Sequence, residues 1–442
     1  VRWFNRPGSL FRVGRALGIF MFVWAVLPGP CSPGLAQSRA GDQFKAQAIL
    51  GDRVQGPNYR VLPEVGSNGR NRIWRLRTEY GDFTVTSDAL LEVRLRELAV
   101  LARLEETSFG AKAITSLGHS IAAPLVFGGE LLTSPIETLK GTFGGIGQMF
   151  DRFSTSGEKG SSNESVAGGM LGVDSARRRI AAELDVDPHT DFVPLAERLT
   201  HLAGGSALGS MTVGAAMKLA VPGTMALSFS GITASKTVKD ALREKTAGQL
   251  LRDSREKMKA QGVAPEIAES LTANRNYTPT DLYLIATALE RLDAANSDLF
   301  VSKAARAETR ASAYLLRLQA DMMASRSGRA ARPLEFLAAP GITLVRTARN
   351  EVLAFVPADE FLWTKENAKA AEDVHRYVMK NAPDASKLVV LAGTPGEQAR
   401  YQLEQRGWTI EEISLQGGGA ETLEEPGVEL PEAPPLPPIP ER

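Results

Sequence analysis

The chain has one cysteine, Cys31, and four histidines in 442 residues. None of His119, His189, His201 and His375 stands at ligand spacing to another, and neither His-x-x-x-His nor His-Glu-x-x-His occurs. A disulfide scaffold, a thiolate zinc site and the helical zinc-protease motif are excluded; a metal would need distant histidines and carboxylates. Charge imbalance is missing too. With 51 basic and 51 acidic residues, there is none of the basic excess a general nucleic-acid binder uses to neutralise phosphates. Apolar runs of spanning length are also lacking: Ala16–Leu27 would rise about 18 Å as a helix, against a bilayer core of about 30 Å. At 43% hydrophobic and 23% charged, the composition is that of a soluble globular protein.

What is present begins with residues 1–36. Arg2, Arg6, Arg12 and Arg15 form a basic front without acids, followed by the apolar run and by Gly34-Leu35-Ala36. This order predicts a secretory signal peptide cut before Gln37, the alternative being an uncleaved anchor. Pro28-Gly29-Pro30 before Cys31 makes a poor lipobox. Cleavage would remove the cysteine and leave 47 basic and 51 acidic residues, a net of −4. An exported chain without disulfides must rely on its hydrophobic core, and about 400 residues suffice for two or three domains.

The expected fold class is α+β, mostly helical. Residues 50–153 should hold a β-meander and amphipathic helices. Strands are expected at 59–62, 73–80 and 83–86, with turns at Ser67-Asn68-Gly69 and Gly81-Asp82. A helix over 88–106 should cover them with Leu91, Leu95, Leu98 and Ala102 inward and Arg94, Arg96, Glu97 and Arg103 in water. Ser134-Pro135-Ile136-Glu137 reads as a helix start, and Ile136, Leu139, Phe143, Ile146, Phe150 and Phe153 form a heptad seam. Four glycines dilute that helix at roughly 1 kcal/mol each, so its apolar stripe needs a partner. Residues 154–169 read as a flexible linker. A helical domain should span 174–326, with periodic segments at 175–184, 194–202, 235–261, 265–273, 279–292 and 298–323. Its Gly/Ala-rich apolar stretch at 203–232 is either core or a membrane-contacting surface. After a basic break at 325–332, residues 335–415 should form a small α/β domain in strand–helix–strand–helix–strand order. Residues 416–442, with seven prolines and six glutamates from Glu421 to Arg442, read as an extended, disordered tail.

Chemistry-bearing motifs are weak. Gly118-His119-Ser120-Ile121-Ala122 falls short of a nucleophile elbow because both flanks read as helical. Gly144-Gly145-Ile146-Gly147 and Gly204-Gly205-Ser206 lack the lysine of a phosphate loop. Asp185, Asp187, His189 and Asp191 resemble the start of a calcium loop, but Thr190 stands where its glycine belongs and Ala196 where its glutamate does. Arg70, Arg72, Arg75 and Arg77, and separately Arg177-Arg178-Arg179, read as solvated faces. Thr394-Pro395-Gly396-Glu397 reads as a capping box. Gly393, Thr394 and Glu397 would then lie at the carboxyl end of a strand, where backbone amides at a helix start can hold an anion.

Several of these segments recur together. Tyr80-Gly81-Asp82-Phe83, the Thr133–Gly141 segment, Asp187-Pro188-His189-Thr190, the Gly/Ala-rich stretch after His201 and Arg406-Gly407-Trp408 give a chain that resembles a family of uncharacterised exported proteins of Gram-negative bacteria over roughly 50–415. The resemblance implies a periplasmic location and no assigned activity. The expectation is a non-enzymatic binding or scaffold protein. It would act at the membrane surface or with an envelope partner, without nucleic acid, metal or cofactor. Its contact face would be the 136–153 seam: Ile136, Leu139, Phe143, Ile146, Phe150 and Phe153. The alternative is a periplasmic enzyme whose site lies at the strand ends of the C-terminal α/β unit.

Overall fold

A computed structural model describes residues 44–106, 164–207, 235–327 and 333–413. The heptad seam, the 203–232 stretch beyond residue 207, the segment preceding Gln37 and the tail lie outside the described residues. The fold is α+β and mostly helical.

The N-terminal meander is built on β5 (Arg72–Thr78), which pairs antiparallel with β6 (Gly81–Thr86), β3 (Tyr59–Val61) and β4 (Glu64–Ser67). Gly69 takes φ +82° in the turn between β4 and β5, a conformation with no steric penalty only for glycine. The next turn differs from expectation. Thr78 pairs with Gly81, so Glu79-Tyr80 make the turn rather than Gly81-Asp82. Short strands β1 (Phe44–Lys45) and β2 (Gln55–Gly56) extend the sheet. Trp74 and Leu76 point inward under α2 (Asp88–Glu106), whose Leu91, Leu95, Leu98 and Ala102 are buried as the periodicity requires.

α3 (Glu164–Glu183) begins inside the expected 154–169 linker, and α4 is Val193–Ala207. Gly204 to Ser206 belong to this helix and not to a loop. The expected 235–261 helix is two, α5 (Lys236–Glu244) and α6 (Ala247–Ala260), because Thr246 caps the second with a full capping box to Gln249. α7 is Pro265–Thr272 and α8 is Pro279–Leu292. The expected 298–323 helix is also two, α9 (Ser297–Ala304) and α10 (Arg310–Arg326), with Thr309 capping the second. In both cases apolar periodicity runs across a cap, and the local hydrogen bonds decide the break.

The C-terminal sheet gains a strand the sequence did not reveal, β7 (Pro333–Ala339), ahead of β8 (Ile342–Thr347) and β9 (Glu351–Val356). These three are antiparallel. α11 (Lys365–Asn381) then leads to β11 (Ser386–Leu391), and α12 (Glu397–Gln405) to β13 (Trp408–Glu412), both strands parallel to β9. The order is β13-β11-β9-β8-β7. A two-residue parallel ladder, β10 (Glu360–Phe361) with β12 (Thr394–Pro395), sits beyond the strand ends. Both faces of the sheet are apolar, as parallel strands require. Phe336, Val345, Leu353, Phe355 and Val390 join the core of α6–α10, while Leu344, Val352, Ala354, Val389 and Leu391 pack with α11 and α12. The register aligns one rim: Ala339 with Ile342, Val356 with Leu391, and Leu391 with Glu412.

The expected capping box at Thr394 is not formed. Gly396 caps α12 without a side-chain bond, since Thr394 is committed to the ladder with Glu360. Two solvated charge clusters are corrected as well. Arg94 and Glu97 are 7% and 2% exposed, and Arg177 and Arg178 are buried. Both pair with Asp174, and Arg178 also reaches the carbonyls of Arg243 and Glu244.

Candidate functional site

The carboxyl ends of β9 and β11 form the rim where open α/β sheets place ligands. Half of that rim is filled by the protein itself. The β4–β5 turn docks there: Leu362 N–H donates to Gly69 O (2.9 Å) and Glu360 N–H to Arg70 O (3.1 Å). Asn367 Nδ2 donates to Gly69 O (2.9 Å), and Arg70 Nε donates to Asn367 Oδ1 (2.6 Å). Asp359 completes the clip by accepting the amides of Arg72 (2.8 Å) and Asp88 (2.9 Å), the second at the start of α2. Burial, and then the neighbouring Asp88 carboxylate, push the Asp359 carboxyl up to about 7 against the pull of those two amides.

The anion site expected at Gly393, Thr394 and Glu397 lies on this filled half. A Cβ on Gly393 would sit 2.1 and 2.5 Å from the carbonyl oxygens of Asp359 and Ala358, so only glycine fits. The Gly396 amide at the helix start donates to Phe361 O (3.0 Å). Thr394 and Glu397 are exposed. The three residues are neighbours in the chain, and what faces Gly393 is the negative end of two peptide dipoles.

The other half of the rim is open. A cleft of about 650 Å³ lies between α9, the start of α10 and the β7–β8 turn, within the size range of small-molecule sites. Leu299, Leu316 and Ile342 supply apolar wall. Ser302, Ser312 and Thr309 supply hydroxyls, Lys303 and Arg306 positive charge, and Glu308 the one carboxylate among the described residues. Lys303 Nζ donates to Gly341 O (2.9 Å). Its half-buried position, and then the positive charge of Arg70, bring the ammonium down to about 8. Arg306 is exposed. The cleft exists because the chain breaks between α9 and α10, a break hidden by continuous periodicity. The sequence signal that could have shown it is Thr309 three residues before Ser312.

A second constellation is buried at the meeting of α2, the α3–α4 connection, α8 and α10. Arg94 pairs with Glu97 (2.6 Å) and Asp191 (3.1 Å); Arg310 pairs with Asp191 (3.1 Å) and Asp281 (2.8 Å); Arg317 approaches Asp281 (3.6 Å). Thr190 donates to Glu97, and Thr280 donates to Asp187 (2.6 Å). Burial raises Glu97 to about 7 despite Arg94, and raises Asp187 to about 6. Burial also opposes charge on Asp191, but Arg310 and Arg94 outweigh it and hold the group at about 2. His189 is buried alongside; burial, then Arg177 and Arg178, depress it to about 3. The enclosed space is about 40 Å³, room for one water rather than a substrate. Asp187, His189 and Asp191 thus serve an ionic joint between helices. The sequence shows their spacing, but the partners come from helices about 90 and 120 residues away.

His375 lies on α11 beside Lys387 and Arg406, and does not line the cleft. His201 is on the exposed side of α4. Among the described residues no cluster of histidines and acids is placed to hold a metal ion, and no helix is long and apolar enough to cross a membrane. Comparison with protein-family models, curated proteins and solved structures returns no match to this chain.

Proposed function

We propose that this chain is an exported, periplasmic protein of the Gram-negative envelope that binds rather than catalyses, and that the α9–α10 cleft receives an anionic ligand. The supporting observation is the cleft itself: an apolar wall with Lys303 and Arg306 at its edge, and a single carboxylate among the described lining residues. Lys303 has a backbone carbonyl as its hydrogen-bond partner, which leaves two of its three donors for a ligand oxygen. Arg306 adds a planar fork suited to carboxylate or phosphate.

Calorimetric titration with citrate and with inorganic phosphate at low ionic strength tests the reading. Binding by wild type that falls at least about tenfold in Arg306→Ala, roughly the loss of one charged hydrogen bond, supports it. Equal binding by both proteins overturns it. Export is tested separately by mass spectrometry of the periplasmic fraction, where a chain starting at Gln37 is expected.

A further inference from the structure

The cleft and the last described strand share one rim, and this supplies a candidate occupant from the chain itself. We propose that the acidic, proline-rich segment 421–442 folds back in cis and occupies the α9–α10 cleft as a tethered competitor of the anionic ligand. The inference rests on the cleft being an anion site, as proposed above.

The chain leaves β13 at Ile413, whose amide donates to Leu391 O (2.8 Å). Glu412 is level with Leu391, Leu391 with Val356, and continuing the β8–β9 register from Val345–Leu353 sets Ile342 level with Val356. Ile342 is a cleft residue. The exit point and the cleft are therefore at the same end of the strands, three spacings from β8 and four from β7, about 14–19 Å. Seven residues lie between Ile413 and Glu421, and the eight steps at about 3.3 Å each span roughly 26 Å. Helix α10 crosses between the two places: its Thr309 end lines the cleft, and its Arg326 pairs with Glu411 of β13. Reach is satisfied before the first glutamate of the tail.

Charge and shape agree. Segment 421–442 carries six glutamates and one arginine, against Lys303 and Arg306 in the cleft and Arg70 near Lys303. Its seven prolines favour an extended helix without internal hydrogen bonds, which loses little entropy on docking. Leu430, Pro431 and the Pro434-Pro435-Leu436 run offer apolar surface for Leu299, Leu316 and Ile342. Tethering gives an effective concentration of the order of millimolar, so weak individual contacts suffice for occupancy.

Zero-length carbodiimide coupling on the intact chain reads the contact directly. The expected product is an amide between Lys303 and a glutamate of 421–432, formed within one chain at a yield unchanged by tenfold dilution and reduced in 1 M salt. No such link, or one no stronger than links from the tail to exposed Lys236 and Lys239, overturns the proposal. Citrate titration then separates the two readings. A full-length variant with the six tail glutamates changed to glutamine should bind citrate about fivefold or more tighter than wild type. Equal citrate affinity overturns the tethered competitor and leaves the anion site standing. If neither protein binds citrate, the anion site falls, and the Lys303 coupling result still decides where the tail lies.

Discussion

Glu97 shows how far a single carboxyl departs from what its helical position suggests. Burial outweighs Arg94 and lifts it from 4.5 to about 7. The folded state therefore binds this proton more tightly than the unfolded chain. The contribution is favourable below about pH 4.5 and is lost as pH rises through 7. Glu97→Gln keeps an acceptor for Thr190 and removes the titration. Its urea midpoints at pH 5 and pH 8 should lie closer together than those of wild type, by about 2–3 kcal/mol in unfolding free energy. His189 acts in the opposite sense. Depressed from 6.5 to about 3, it stabilises fully above pH 6.5 and loses that contribution as pH falls toward 3, so His189→Leu should flatten the acid limb of a pH–stability curve. Gly393 is a third test at this scale. Gly393→Ala drives a methyl into the Asp359 and Ala358 carbonyls and should cost about 1–3 kcal/mol in denaturant unfolding.

Among elements, the β4–β5 turn does most to define the site, because it fills half the strand-end rim and leaves the cleft as the open half. Asp359 holds both β5 and the start of α2 through two backbone amides. Asp359→Ala orphans those donors at about 1–3 kcal/mol each. Hydrogen exchange at Arg72 and Asp88 should quicken by more than about tenfold, while amides in α8 stay protected. Strand and helix types were legible in the sequence, and the 88–106 and 279–292 helices match their patterns closely. Element ends were less so. Thr246 and Thr309 carry the cap chemistry that splits two expected helices, yet apolar spacing continues across both. β7 was hidden because Leu334 is exposed and Pro333 opens the strand at a sheet edge, where proline is tolerated.

For the molecule as a whole, the cores ignore the expected domain boundaries. Phe300 of α9 stacks on Phe336 of β7 with ring centroids 6.0 Å apart. Tyr314 and Leu318 of α10 join the core of the meander and α2. All described residues belong to one unit spanning Ser38–Arg442. Phe336→Ala should therefore destabilise helices and sheet together by about 3–5 kcal/mol. Far-ultraviolet circular dichroism and the fluorescence of Trp74, Trp363 and Trp408 should still report one transition. Separate midpoints for the helical signal and the Trp363/Trp408 signal would contradict the shared core.

By itself the sequence determined the fold class, the meander under its helix, the alternating α/β pattern at the C-terminus and the type of nearly every long element. These follow from periodicity and caps, which are local. Only the tertiary structure decided that Arg94 and Glu97 are buried, that Asp187 and Asp191 meet Thr280 and Arg310, and that Gly393 faces carbonyls instead of a ligand. It also decided that Lys303 lies in a cleft near Arg70. Each of these joins residues tens to hundreds of positions apart, and no spacing along the chain encodes which buried charge will find which partner.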